Sequence, residues 1–158
     1  MRAHGVRPVE INPVGGRMFW SRQKTVEAVT EGVAEKVAIE AEGFYRSGRM
    51  HCAEAVLAAV KNNFVPTVSD DVVRLAAGFG GGSGSGCICG AVAGGTMALG
   101  LVLQNDKKKV AQLTRELHRW FKEQYGATCC KVITAKGKSG CPLLTGNVAG
   151  KVAELLGV

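Results

Sequence analysis

Apolar residues recur at intervals of three and four along the first part of the chain. Between Ser21 and Phe44 they are mostly valines, and charged residues take many of the positions between them. Residues three and four apart lie on one face of an α-helix, so this segment is predicted to be an amphipathic helix that ends at the turn formed by residues 47–49. A second helix is predicted to begin near Cys52, and its inner face carries Cys52, Val56, Ala59, Val60 and Phe64.

Further helical segments follow along the chain. A short one leads into a glycine-rich stretch, GFGGGSGSGCICG, at residues 78–90, and the next, CGAVAGGTMALGLVL, has so many small residues that it is predicted to be buried. A fifth helix is predicted from Asp106 to Gly126, and a last one begins at Pro142. We find no strand alternation and no internal repeat. The prediction is an all-α fold: a compact bundle of about five to six helices with a glycine-rich loop before a buried small-residue helix.

Composition favours a single folded domain. The chain has 158 residues, of which 46% are hydrophobic and 21% charged, as in folded soluble proteins. We predict a poorly ordered N-terminal arm over residues 1–20 and one helical domain over residues 21–158. The arm has no apolar segment typical of a secretory signal, and the longest apolar run, Gly90 to Leu103, is shorter than the roughly 20 residues that span a membrane. No membrane partner and a cytoplasmic location are therefore expected.

The net charge of +7 raises the question of nucleic-acid binding. Three consecutive lysines stand at residues 107–109, but no aromatic residues interleave them and no known nucleic-acid-binding module is recognisable. We interpret these lysines as the solvated start of a helix and expect no nucleic-acid partner. A basic surface also suits an acidic protein partner.

Nucleotide-loop motifs are excluded, and Ser-His-Asp chemistry is weakly supported because no histidine lies in a recognisable nucleophile-elbow arrangement. No frame of the glycine stretch places glycine at all three positions of GxGxxG, and GKS at residues 137–139 lacks the earlier glycine of a P-loop because Val132 stands there. His118 is interpreted as an edge-of-core or surface residue. His51 precedes Cys52, but adjacency in sequence does not bring two side chains together.

The six cysteines remain as the candidates for chemistry. Burial as small hydrophobic residues accounts for one or two of them but less well for six, four of which stand in close pairs. Cys52 is expected in the first turn of a helix, where free N–H groups favour a thiolate. Four thiolates are suited to zinc or to an iron–sulfur cluster, although the CxxC pairs of zinc ribbons are missing. Dithiol chemistry at the paired cysteines is the other interpretation.

The order of these segments is similar to that of a known family. A cysteine opens a CAEAVL helix, and FGGG, CGAVAGGTMALGL, FKEQYGATCC and a final CP follow in that order. This arrangement resembles the C-GCAxxG-C-C family of redox-active proteins, whose pattern extends into the split-Soret cytochromes of anaerobic bacteria. The likeness spans about Glu42 to Leu156.

The resemblance implies a helical fold, a redox role and an iron–sulfur cluster of the 2Fe–2S type. It implies that the cluster ligands are Cys52, Cys89, Cys130 and Cys141. Backbone N–H groups of the glycine stretch are then expected near the cluster sulfurs, which makes the candidate cofactor-binding glycines Gly80, Gly81, Gly82, Gly86 and Gly90. This chain departs from the family in its extra thiols, Cys87 and Cys129. It has no CxxCH motif, so no haem is expected.

Two alternatives remain open. A metal-free thiol–disulfide oxidoreductase or thiol relay would use as its redox thiols Cys87, Cys89, Cys129 and Cys130. A structural zinc or interaction module is the third hypothesis. No substrate pocket or acid–base pair is recognisable, so no enzymatic activity is assigned. The expected partners are a redox protein, acidic if it meets the basic surface, and a second copy of the chain in a homodimer.

Overall fold

The structure is a computed structural model that describes the backbone of residues 17–158 and the side chains from residue 32 onward. Residues 1–16 of the N-terminal arm, which was predicted over residues 1–20, lie outside the described residues. The described part of the chain holds seven α-helices. They are α1 (Arg17–Arg46), α2 (Cys52–Phe64), α3 (Asp71–Arg74), α4 (Gly90–Leu103), α5 (Lys107–Tyr125), α6 (Cys130–Ile133) and α7 (Cys141–Leu155).

Local sequence signals explain several of these helix ends. The side chain of Asp106 accepts a hydrogen bond from the Lys109 N–H at 2.9 Å, which caps the start of α5. Gly126 ends the same helix with a φ of +78°, in the left-handed region that glycine adopts without strain. Pro142 lies in the first turn of α7, where its missing N–H is not needed. The predicted helix ends at these positions are confirmed.

Helix α4 lies at the centre of the bundle and packs against α2, α5 and α7. Its residues Val92, Ala98 and Leu99 are fully buried. A Cβ atom at Gly95 would stand 2.9 Å from the Leu117 side chain and 3.1 Å from the Val152 side chain. The small residues of α4 therefore let three helices approach closely, and the predicted buried helix in an all-α fold is confirmed.

Helices α1 and α7 pack along each other in a similar way. A Cβ atom at Gly146 would stand 2.9 Å from the Ala38 carbonyl oxygen, and one at Gly150 would stand 3.3 Å from that of Ala34. Val37 of α1 and Val148 of α7 are fully buried. No helix among the described residues is long and apolar enough to cross a membrane.

The glycine stretch has its own structure between α3 and α4. A 3-10 turn over Ala77–Phe79 is followed by a wide turn over Gly82–Gly86 in which the backbone is largely left-handed. An isolated antiparallel bridge then pairs Ile88 with Cys129. Neither this bridge nor α6 was predicted, because four-residue helices and single bridges have no periodicity that a sequence pattern can show.

Candidate functional site

Cysteines stand where four of the helices begin. Cys52, Cys130 and Cys141 are the first residues of α2, α6 and α7, and Cys89 is the residue just before α4; Cys129 also stands just before α6. The first turn of a helix leaves N–H groups without intrahelical partners and carries a partial positive charge. We call Cys52, Cys89, Cys130 and Cys141 the thiol site.

Electrostatic interactions show that the thiol site is one neighbourhood. Burial raises the pKa of Cys52, and the nearby Cys130 and Cys141 raise it further. Burial likewise raises the pKa of Cys89 to about 12, with further contributions from Cys52 and Cys130. Because charges act on each other strongly only at short range, the fold brings together cysteines that lie up to 89 positions apart in the sequence (52 to 141).

Backbone N–H groups point at two of the sulfurs. Cys52 receives hydrogen bonds from the N–H groups of Ala53 and Gly81, and these lower its pKa against the effect of burial. Cys89 receives hydrogen bonds from Ala91 and Val92 in the first turn of α4, with the same effect. These donors stabilise negative charge on sulfur, whether that charge belongs to a free thiolate or to a metal-bound one.

Two glycines bring bare backbone against the thiol site. A Cβ atom at Gly90 would stand 2.5 Å from the Cys52 Sγ and 2.6 Å from the Phe79 carbonyl oxygen. One at Gly82 would stand 2.7 Å from the Cys130 Cβ, and the φ of Gly82 is +70°. No larger residue fits at either position without a shift of its neighbours.

The remaining glycines of the candidate set lie at different distances from the thiols. Gly81 contributes one of the two N–H groups that donate hydrogen bonds to the Cys52 sulfur. Gly80 packs against the His51 ring, where a Cβ would stand 2.8 Å from Cγ, and Gly86 packs against the Cys130 neighbour Lys131 at 3.1 Å. Gly81, Gly82 and Gly90 thus contact the thiol site, whereas Gly80 and Gly86 contact residues beside it. Their role in holding a cofactor stays a prediction.

The β-bridge holds the two paired-cysteine segments side by side. The Cys89 N–H donates to the Thr128 carbonyl at 2.7 Å, and the Cys130 N–H donates to the Cys87 carbonyl. The extra thiols lie at the margin of the thiol site: Cys87 is exposed, and the half-buried Cys129 donates its S–H to the Gly86 carbonyl at 3.2 Å. All six cysteines are free thiols.

Tyr45 is a member of this neighbourhood that sequence reasoning missed. It lies in the last turn of α1, and its side chain forms a hydrogen bond with that of Cys141. Burial raises the pKa of Tyr45 to about 12, and Cys141 and Cys52 add to the effect. Tyr45 therefore stays protonated at neutral pH, and its O–H group donates a hydrogen bond to the Cys141 sulfur. The only signal in the sequence was its place just before the turn that leads to Cys52.

His51 and His118 form no side-chain hydrogen bond with the thiol site. His51 is exposed, and its backbone N–H donates to the Glu54 carboxylate at the start of α2. His118 is partly buried, with Nε2 3.3 Å from the Thr96 Oγ1, and burial and the charge of Lys122 lower its pKa. The position of His118 agrees with the edge-of-core role that the sequence suggested.

The described residues form a surface groove away from the thiols. A groove of about 950 Å³ lies between α1, α5 and α7, where Trp120, Asn147 and Lys151 line it, and no cysteine reaches it. Among the described residues, no group of three His, Cys, Asp or Glu side chains is placed to hold a single metal ion. The chemistry that the site offers is thus that of several adjacent thiols supported by backbone N–H groups.

The raised pKa of Cys89 predicts a loss of stability in alkali. In the unfolded chain the thiol ionises near its ordinary value of 9.0, whereas in the folded protein it keeps its proton up to about 12. The stabilisation from this group is therefore complete below about pH 9 and declines above it. We expect the metal-free, reduced protein to lose about 1.4 kcal/mol between about pH 8 and 10 from this group.

Urea unfolding at a series of pH values measures this effect, with Cys89→Ala as the matched variant. The variant is expected to show a smaller decline of the unfolding free energy with pH than the wild type. Equal declines in the two proteins would contradict the assignment of a raised pKa to Cys89.

Comparison with known proteins gives one match. A family model described as "Putative redox-active protein (C_GCAxxG_C_C)" matches residues 50–155, which is about two thirds of the chain. The matched range includes all six cysteines and the glycine stretch. Neither a curated protein nor a solved structure matches the sequence.

Proposed function

Since this chain belongs to the C_GCAxxG_C_C family of redox-active proteins, we propose that its thiol site binds an iron–sulfur cluster, of the 2Fe–2S type, for electron transfer or redox sensing. The proposed ligands are Cys52, Cys89, Cys130 and Cys141. The cytoplasmic location and the homodimer belong to the same proposal.

The observation that carries this proposal is the meeting of four thiols at four helix starts. An iron–sulfur cluster bound by thiolates carries net negative charge, and unpaired N–H groups at helix starts are suited to stabilise it. The Gly81 N–H already donates a hydrogen bond to the Cys52 sulfur, and N–H groups in the first turn of α4 donate to the Cys89 sulfur. Hydrogen bonds of this kind tune the potential of a cluster.

The donor set fits a cluster better than it fits a single ion. In a 2Fe–2S cluster the four thiolates divide between two irons, so three ligands around one point are not required. The absence of such a three-residue group among the described side chains therefore weighs against the structural zinc hypothesis more than against a cluster. When bound, the cluster supplies one-electron chemistry, and Cys52, Cys89, Cys130 and Cys141 hold it.

The chain's own residues would shape this site in two ways. Gly82 and Gly90 lack side chains where a Cβ would contact Cys130 and Cys52, so the backbone packs directly against these two residues. The O–H group of Tyr45 stays protonated at neutral pH and donates a hydrogen bond to the Cys141 sulfur, which stabilises negative charge there.

Anaerobic purification tests the proposal. Protein prepared without oxygen, or reconstituted with iron and sulfide, is expected to contain both elements in equal amounts and to absorb visible light. Zinc in place of iron would favour the structural module. No iron or acid-labile sulfide after reconstitution would exclude the cluster.

A metal-free thiol–disulfide function is the second candidate, and the exposure of Cys87 favours it. An exposed thiol beside the thiol site is placed to exchange with a partner's disulfide. The buried thiols suit this function less well, because a raised pKa leaves little thiolate at neutral pH, whereas a metal ion displaces the proton on binding. Alkylation of the reduced protein distinguishes the two, since a thiol catalyst requires at least one cysteine that reacts much faster than the others.

A further inference from the structure

The two segments that carry five of the six cysteines have an uneven distribution of charge. Residues 75–105 contain no charged side chain. Residues 124–153 contain four lysines and no acidic residue. Acidic residues are thus missing from most of the chain around the thiol site, although the whole protein has 13 of them.

Three of these lysines are exposed, and two of them lie beside the cysteines. The side chain of Lys131 packs against Gly86, next to Cys87. Lys138 is close enough to Cys141 for its charge to act on that thiol. Lys136 is exposed in the same segment, between α6 and α7. Lys131 and Lys138 therefore place positive charge beside the thiol site, and Lys136 lies between them in the sequence.

An exposed apolar residue lies among these lysines. Val132, in α6, is 60% exposed and is one of only four large hydrophobic side chains exposed in the part of the protein that the structure describes. We call the four residues Lys131, Val132, Lys136 and Lys138 the lysine face. Protein interfaces commonly combine an apolar centre with a polar or charged rim, and small interfaces of this kind are typical of transient redox complexes.

We propose that the lysine face is the docking surface for an acidic redox protein, which it holds beside the exposed Cys87 and the thiol site. The need for such a partner rests on the proposed redox function, whereas the surface itself rests on charge and exposure. Complementary charge steers the two proteins together and orients them, and it adds more to the rate of association than to the lifetime of the complex.

The same lysines fit a nucleic acid less well. No aromatic residue lies between Cys129 and Cys141 to stack on bases. Lys131 lies in a four-residue helix, and Lys136 and Lys138 lie in the loop after it, so no element there is long enough to enter a groove of a duplex. The exposed Val132 suits an apolar contact in a protein interface better than it suits a phosphate backbone.

The test compares two charge-reversal variants that change the net charge equally. One is K131E/K136E/K138E, and the other, the control, is K107E/K108E/K109E, whose lysines are also exposed. The control lysines begin α5, beyond the far end of α4, so they lie about one α4 length, or ~20 Å, from Cys89. At about 0.1 M salt this distance exceeds the Debye length of ~10 Å.

Binding is measured directly, with an acidic plant-type ferredoxin and an acidic flavodoxin as parallel probes and with an RNA and a DNA oligonucleotide as competitors. The measurement uses both metal-free reduced protein and iron-reconstituted protein, with iron content and circular dichroism recorded for each variant. We expect at least about a tenfold loss of affinity for an acidic probe in the lysine-face variant and less than about a threefold loss in the control.

The outcomes separate this proposal from the proposed function. Binding to the metal-free form that depends on the lysine face supports the docking surface even if no cluster forms, in which case only the proposed function fails. Docking is overturned if neither acidic probe binds the wild type, if both variants lose affinity equally, or if only the oligonucleotides bind and depend on the lysine face.

Discussion

Replacing Cys89 by serine is expected to abolish the retention of iron and acid-labile sulfide, whereas replacing Cys87 leaves it unchanged. Cys89 is buried at the start of α4 and near Cys52 and Cys130, while Cys87, two residues earlier, is exposed. Serine keeps the shape of cysteine but is a poor ligand for iron in a cluster. Since changes in the outer shell of a metal site already cost about 10–100-fold in affinity, loss of a ligand is expected to cost more.

The pair Cys130→Ser and Cys129→Ser repeats this comparison at adjacent positions. Cys130 is buried and belongs to the thiol site, whereas Cys129 bonds to the Gly86 carbonyl. Iron, sulfide and visible absorption are measured after anaerobic reconstitution, and the thermal unfolding of each metal-free variant shows whether it folds. Retention of a full cluster in a folded Cys89→Ser or Cys130→Ser variant would contradict the assignment of ligands.

Replacing Gly94 by alanine is expected to destabilise the protein by about 1–3 kcal/mol, even though alanine is the better helix former. Gly94 lies in α4 where that helix crosses the start of α2. A Cβ at this position would stand 2.8 Å from the Ala53 Cα and closer still to the Ala53 carbonyl oxygen. Backbone atoms cannot turn away as a side chain can, so the two helices must separate.

Gly100→Ala is the matched control, since Gly100 lies in the same helix and a Cβ there would meet no atom within 4 Å. At this position only the higher helix propensity of alanine acts, so the free energy of unfolding is expected to rise by about 0.5–1 kcal/mol. Urea or thermal unfolding of metal-free protein measures both. Equal effects of the two substitutions would show that the contact between α4 and α2 does not limit the size of residue 94.

Because Cys52 begins α2 at the same crossing, Gly94→Ala is also expected to weaken cluster binding. Ala53, the residue that the new methyl group would contact, donates its N–H to the Cys52 sulfur. A shift of this segment moves a proposed ligand and one of its donors together. Iron content of the reconstituted variant checks this second effect.

Local patterns predicted the larger elements of the fold well. The three- and four-residue spacing predicted α1, α2 and α5, and the end of α5 followed from Gly126, whose φ is +78°. The small residues of CGAVAGGTMALGLVL predicted a buried helix, and α4 is that helix. These predictions succeeded because each depends on interactions within one turn of a helix or on the character of one face.

Three features that depend on contacts with neighbouring segments were not predicted from the residue pattern. The bridge from Ile88 to Cys129 joins two short segments 41 positions apart (88 to 129), and neither has a strand pattern. Helix α6 has four residues, and its stability depends on its neighbours rather than on its sequence. Tyr45 became a candidate only when the end of α1 was seen next to Cys141.

The sequence by itself determined that this protein is all-α, which of the longer segments are helices, and which cysteines a family motif singles out. Only the tertiary structure decided that those cysteines meet, that Cys52 and Cys89 accept backbone N–H groups, and that Cys87 lies outside with lysines near it. The reason is physical: helical periodicity is a property of neighbouring residues, whereas the thiol site is formed by the packing of four helix starts. That packing depends on glycines such as Gly90, whose importance lies in what a side chain there would strike.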